Sequence, residues 1–173
     1  MISKELIEEL RSQFALDWSG IHGAPHWARV RVNGLILAKA TGANKQVVEL
    51  FAFLHDSMRS NDEYDPQHGI RASSYAESLR GRLFELSDND FALLQHACEG
   101  HSDGYMEADV TVQTCWDADR LDLGRVGIRP DINRLCTDVA KDSKVLEPAY
   151  ARSICSTVTP ELYWQIYCLL AST

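Results

Sequence analysis

The 173-residue chain has no cysteine pairing pattern, little positive charge and no long apolar run, and each shortage removes a class of protein. Its five cysteines, Cys98, Cys115, Cys136, Cys155 and Cys168, are odd in number, scattered and never spaced Cys-x-x-Cys. That pattern suggests neither a disulfide framework nor a zinc ribbon, and the thiols are expected to be reduced. Seventeen lysines and arginines against twenty-five acids leave a formal net charge of −8. So acidic a chain is poorly suited to replacing counterions along a nucleic-acid backbone, and no extended nucleic acid is expected as a partner. A small anion held by a few arginines in a cleft stays open. No stretch approaches the roughly eighteen apolar residues of a membrane span. Residues 1–10 alternate charged and aliphatic side chains, unlike a signal peptide or an anchor. No membrane partner is expected, and the cytoplasm is the expected compartment. Internal repeats, low-complexity tracts and strand-like alternation are also missing.

What is present is an ordinary globular composition, 45% hydrophobic and 24% charged, in a chain long enough for one domain with a real core. The apolar spacing is helical throughout, so the expected class is all-α. An amphipathic helix is expected over residues 2–16, with Ile2, Leu6, Leu10 and Phe14 on one face. A second runs from Pro25 to Thr41 and stops at Gly42; a third spans residues 44–56. The polar stretch 57–66 reads as a loop across the mouth of a site. A fourth helix starts near Gln67, a fifth at the capping sequence Ser87-Asp88-Asn89-Asp90, and a sixth covers residues 109–123. Short helices over residues 131–138 and 147–155 precede a last apolar helix from Thr159-Pro160 to about Leu170, which suits either a core or a homodimer contact.

Chemistry-bearing residues recur at one kind of position on these helices. His26 lies in the first turn of the second helix, and His55 continues the buried stripe of Val48 and Phe51. His68 lines up with Ala72, Tyr75 and Leu79, and His101 with Leu94 and Ala97. Asp119, rather than its neighbour Asp117, falls on the stripe of Val112, Trp116 and Leu123. Each of these groups taken alone reads more readily as a satisfied core residue. Five polar groups on the apolar faces of separate helices, with Asp56 beside His55, are more simply satisfied together by a divalent metal ion. Neighbours on a helix diverge by about 100°. His55 and Asp56 can therefore share an ion only at the seam near their helix end. Trp27, Trp116 and Tyr75 could stack on a base but suit the core better.

An upstream His26, the dipeptide His55-Asp56 and the segment Ala118-Asp119-Arg120-Leu121 together resemble the H…HD…D pattern of the HD-domain superfamily of metal-dependent phosphohydrolases. The likeness covers about residues 23–131, extends through Trp116 to Asp122, and leaves the first and last helices unassigned. It implies an all-α domain with Asp119 as the motif aspartate, and a metal (Mn, Mg, Fe, Co, Ni or Zn) held by His26, His55, Asp56 and Asp119. His68 and His101 stand where many members place ligands of a second metal or of the substrate. Other members carry a water-assisting acid shortly after the dipeptide; here the fourth residue after His55 is Arg59, with Asp62 and Glu63 as loose substitutes. Arg59 is then a candidate phosphate ligand.

The reaction implied is hydrolysis of a small phosphate ester, with a nucleotide among the candidates, by metal-activated water. The reacting core would be His55, Asp56, Asp119 and Arg59. Charge building on phosphoryl oxygens calls for arginines, and Arg29, Arg59, Arg71, Arg125 and Arg129 lie nearest the motif residues in sequence. His22 is placed to line the pocket or to act as an acid towards the leaving group. Two other readings use the same residues: an HD-type diiron oxygenase, and a regulatory module that keeps its metal for structure.

Overall fold

The computed structural model describes residues 2–155, so the expected last helix and Cys168 lie outside the described residues. Eight α-helices and no strand are found among them: α1 Lys4–Gln13, α2 Ala24–Thr41, α3 Lys45–Leu54, α4 His68–Leu79, α5 Asp88–Gly100, α6 Val110–Arg120, α7 Asp138–Lys141 and α8 Ser143–Ser153. Two short 3-10 helices, Leu123–Val126 and Ile132–Arg134, fill the stretch between α6 and α7. The all-α expectation holds. No helix among the described residues is long and apolar enough to cross a membrane.

Starts and stops follow local chemistry. Ser3, Asn44, Ser87, Asp109, Thr137 and Asp142 each turn a side-chain oxygen onto an otherwise unpaired N–H of a first helical turn. Gly42 ends α2 in the left-handed region, at φ 78°. Several boundaries differ from the sequence reading. α1 stops at Gln13 because Phe14 leaves the helix and turns its ring edge-on to Trp18 and Trp27. α3 ends at Leu54, and the chain tightens into i−3 bonds, Ser57 N to Leu54 O and Arg59 N to Asp56 O. α6 ends at Arg120, where the N–H of Asp122 likewise reaches back to Asp119 O. α8 begins earlier than expected, at its Asp142 cap, and takes Pro148 into its interior.

The core is one cluster. α2 packs on α3 and α6, α3 on α5, and α4 on α5, around fully buried Leu6, Trp27, Leu37, Phe51, Leu54, Leu94 and Trp116. Trp27 and Trp116 are therefore core side chains, and Trp116 donates its indole N–H to Ala97 O. One glycine sets how closely α4 and α5 approach. A β-carbon at Gly69 would lie 2.3 Å from the carbonyl oxygen of Cys98, so only glycine lets α4 approach α5 so closely. The N-terminal end of α4 thereby meets the C-terminal end of α5.

Candidate metal centre

Five helix ends converge on one buried point. His26 stands in the first turn of α2, His55 caps α3 with Asp56 next to it, and His68 opens α4. His101 caps α5, and Asp119 sits in the last turn of α6. The four imidazoles are buried; the Asp119 side chain is 14% exposed, although its Oδ1 is shut off from solvent.

The ring nitrogens have definite partners. Every Nδ1 faces an oxygen that can only accept. For His26 it is Asp122 Oδ2 at 2.7 Å, for His55 Phe51 O at 3.0 Å, for His101 Cys98 O at 2.7 Å, and for His68 the carbonyl of Asp65. Each Nδ1 therefore carries its hydrogen and each ring turns its Nε2 inward, where the Nε2 of His68 also meets Arg59 Nη1 at 3.3 Å. Those Nε2 atoms face each other: His26 Nε2 is 3.0 Å from His55 Nε2, and His68 Nε2 is 2.8 Å from His101 Nε2. Two lone pairs at that distance repel unless a proton or a metal ion lies between them. Ligand atoms at right angles on an ion about 2.1 Å away are themselves about 3 Å apart.

The carboxylates complete the pattern. Asp56 Oδ2 lies 3.6 and 3.7 Å from the Nε2 atoms of His26 and His55, while its Oδ1 lies 3.2 and 3.5 Å from those of His68 and His101. Asp119 Oδ1 is 3.4 Å from His26 Nε2. Asp56 Oδ1 and Asp119 Oδ1 are buried without a hydrogen-bond partner, which is costly for an anionic oxygen. The ligand atoms of His26, His55 and Asp119 all lie within 4.8 Å of one another, as do those of His55, Asp56 and His101. These groups can hold a metal ion.

Comparison with protein-family models, curated proteins and solved structures returned no match.

The electrostatics fit a site built for a cation. Burial pushes the His55 imidazole down to about 4 and moves His26 well below its usual value. Burial alone would raise Asp56, but His55, His101 and His68 hold it well below the usual carboxylate range. Asp119 is lowered by Arg125, His55 and His26 against the same penalty. His101 moves up, because Asp56 and Asp119 outweigh its burial.

Of the other residues expected at the site, two find partners elsewhere. Arg29 directs Nε and Nη2 onto the two oxygens of Asp122, at 2.6 and 3.0 Å, with its side chain 8% exposed. A buried guanidinium needs a paired acid, and Asp122 supplies it inside the protein. Arg71 bonds Met58 O and Asp65 Oδ2, closing the 57–66 loop onto α4 instead of meeting a ligand. Arg59 and Arg125 do reach the centre, 3.5 Å from Asp56 Oδ1 and 3.7 Å from Asp119 Oδ1. Both are steadied by backbone carbonyls: Asn61 and Glu63 for Arg59, Ile21 and Asp122 for Arg125. His22 lies beside His26, its Nδ1 bonded to Asp62 Oδ1 at 2.9 Å. Asp62 is thus engaged as the partner of His22. Arg129 lines the cleft above the centre and pairs with Glu147.

Sequence reasoning missed Asp122. This fully buried acid fixes His26 from behind and neutralises Arg29 at once. The signal was there as spacing: Arg29 follows His26, and Asp122 follows Asp119, by one helical turn each. Asp117 was placed off the apolar stripe, yet it too is buried. It accepts from Cys136 N, Thr137 N and Thr137 Oγ1, tying α6 to the start of α7.

Proposed function

We propose that the protein is a metal-dependent phosphohydrolase of the HD-domain type, acting on a small phosphate ester. The observation that carries this reading is Asp56, whose two oxygens each face a separate pair of histidine Nε2 atoms, with Arg59 and Arg125 beside the cluster. His26, His55 and Asp119 with Asp56 Oδ2 would hold one divalent ion, and His68 and His101 with Asp56 Oδ1 a second. Bound there, such ions supply Lewis acidity and water of lowered pKa.

The chain's own residues supply the rest. Asp122, Phe51 O, Cys98 O and Asp65 O keep the four imidazoles in the tautomer that offers Nε2. Arg59 and Arg125, held by carbonyls on either side of the floor, direct charged N–H groups at the oxygens of a phosphoryl group, where negative charge grows as phosphorus is attacked. His22, oriented by Asp62, lines the mouth on the His26 side. A diiron oxygenase would use the same six ligands. The arginines beside Asp56 and Asp119 suit an anionic organic substrate, and metal identity with oxygen uptake separates the two reactions.

The test is metal analysis of the protein as purified, followed by a screen of 4-nitrophenyl phosphate and nucleotides with that metal supplied. Turnover that disappears together with bound metal in His55→Ala is the expected result. Iron with oxygen uptake and no ester cleavage would replace the reading with the oxygenase. Bound metal with no turnover of any kind would leave a structural module.

A further inference from the structure

A cleft of about 850 Å³ opens from Asp56 and Asp119 and extends to the segment 128–134. That is the size of a site for a nucleotide-sized ligand and far more than one phosphoryl group fills. Gly127, in the left-handed region at φ 77°, reverses the chain after the 3-10 helix Leu123–Val126 and lays this segment over the cleft. In a chain of net charge −8, five arginines and no lysine line it: Arg59, Arg120, Arg125, Arg129 and Arg134.

They divide by what they touch. Arg59 and Arg125 border the histidine–aspartate cluster. Arg120 is spent on structure, donating to Tyr105 O and Arg134 O. Arg129 and Arg134 make no contact with the cluster. Arg129 lies over the Tyr150 ring at 4.7 Å and pairs with Glu147 across a surface where both side chains are more than half exposed, a weak ion pair that an incoming dianion can replace while the ring contact stays. Arg134 is exposed and has no carboxylate within ion-pair distance among the described residues. Two further acids line the cleft. Asp103 is exposed, and Asp131 turns its Oδ1 onto Asn133. Met106, Leu123 and Ile128 contribute apolar wall.

We propose that Arg129 and Arg134 form a second anion subsite, and that the substrate carries a second phosphate-type group besides the one that reacts. The inference rests on the phosphohydrolase reading for the role of the metal end. Planar guanidinium forks suit phosphate oxygens, which accept two parallel hydrogen bonds, better than they suit a lone point charge. The apolar wall would pack the carbon body that joins the two anions.

The experiment is calorimetric titration of the full chain with α,ω-alkanediphosphonates of increasing length, each against the alkylphosphonate of the same chain. Phosphonates resist hydrolysis, so binding is read without turnover. At one chain length the diphosphonate is expected to bind about tenfold or more tighter. In the double variant Arg129→Ala/Arg134→Ala that ratio is expected to fall to about one. A ratio near one at every length in the native protein, or one that survives the double substitution, overturns the proposal. Turnover of 4-nitrophenyl phosphate, measured separately, decides the reaction. A native ratio that the double variant abolishes, without turnover, keeps the subsite and rejects the hydrolase.

Discussion

Asp117 and Asp119 are two residues apart, both acidic, both on α6, and the structure gives them opposite work. Asp117 accepts three hydrogen bonds at 2.7 to 2.8 Å from Cys136 and Thr137 and has no contact with the histidines. In Asp117→Asn one oxygen can still accept from Thr137, but the new amide sets its N–H groups against the Cys136 N–H. One charge-assisted bond is lost and one buried donor is stranded, together roughly 2–5 kcal/mol. Relief of the burial that raises the Asp117 carboxyl offsets part of this. A net loss of about 3 kcal/mol corresponds to a fall in Tm of roughly 6–12 °C for a chain of this size. Asp119→Asn removes an anionic oxygen that has no hydrogen bond to lose, only its long ion pair with Arg125, and relieves its burial. With chelator present its Tm should stay within about 4 °C of the native value. Its metal content, measured by atomic emission after dialysis, should fall to background, while Asp117→Asn keeps its metal as long as it is folded. If Asp117→Asn loses metal at unchanged Tm, or Asp119→Asn retains it, the assignment of these two acids is refuted.

Asp122→Asn keeps the shape but removes the charge behind His26 and Arg29; metal affinity is expected to drop about 10- to 100-fold, read by competition with a chromogenic chelator. Unchanged affinity would mean that Asp122 serves Arg29 alone. Gly69→Ala must push α4 away from the Cys98 carbonyl and part His68 from His101, so the metal-to-protein ratio should fall in a variant that still melts cooperatively. A full complement of metal would show that the two helices yield without disturbing the site. The Asp65 carboxyl, against its burial, is held well below the usual carboxylate range by Arg71 and Ser60, which depresses its folded pKa below an unfolded value of about 3.9. Its contribution to stability is therefore full above about pH 5 and is lost as pH falls through 4 and below. The Tm gap between native protein and Asp65→Asn should accordingly close on acidification, and a constant gap would remove the ion pair as its cause.

The fold was legible because its determinants are local. Capping residues, Gly42, and apolar residues at helical spacing sit within a turn or two of the boundaries they set, so α2, α4 and α5 lie where the periodicity predicts them. The differences arise where tertiary contacts overrule propensity. Phe14 leaves α1 to pack against Trp18 and Trp27, and the chain after Arg120 tightens at Asp122, whose side chain is already bound to two partners on α2. Asp142 offered a cap that starts α8 before Glu147, and the proline inside the helix hid it.

Helical spacing points to most of the candidate ligands, whereas the arginines are chosen by nearness in sequence, and nearness does not say which acid satisfies a buried guanidinium. His26 opens α2 and Asp119 faces the core from α6; Arg29, one turn further along α2, and Asp122, just past the end of α6, are buried too and cancel each other's charge across 93 residues of sequence. An arginine beside a metal motif looks like a phosphate ligand until an inward-facing acid is counted against it. At the cluster itself Asp56 Oδ1 and Asp119 Oδ1 are buried without a hydrogen bond, with only Arg59 and Arg125 at ion-pair distance, and four imidazoles turn their Nε2 atoms on one another in two close pairs. Arg29 and Asp122, by contrast, answer each other within the fold. The unbonded oxygens and close nitrogens are therefore local to one point, which is where these helices could hold a cation.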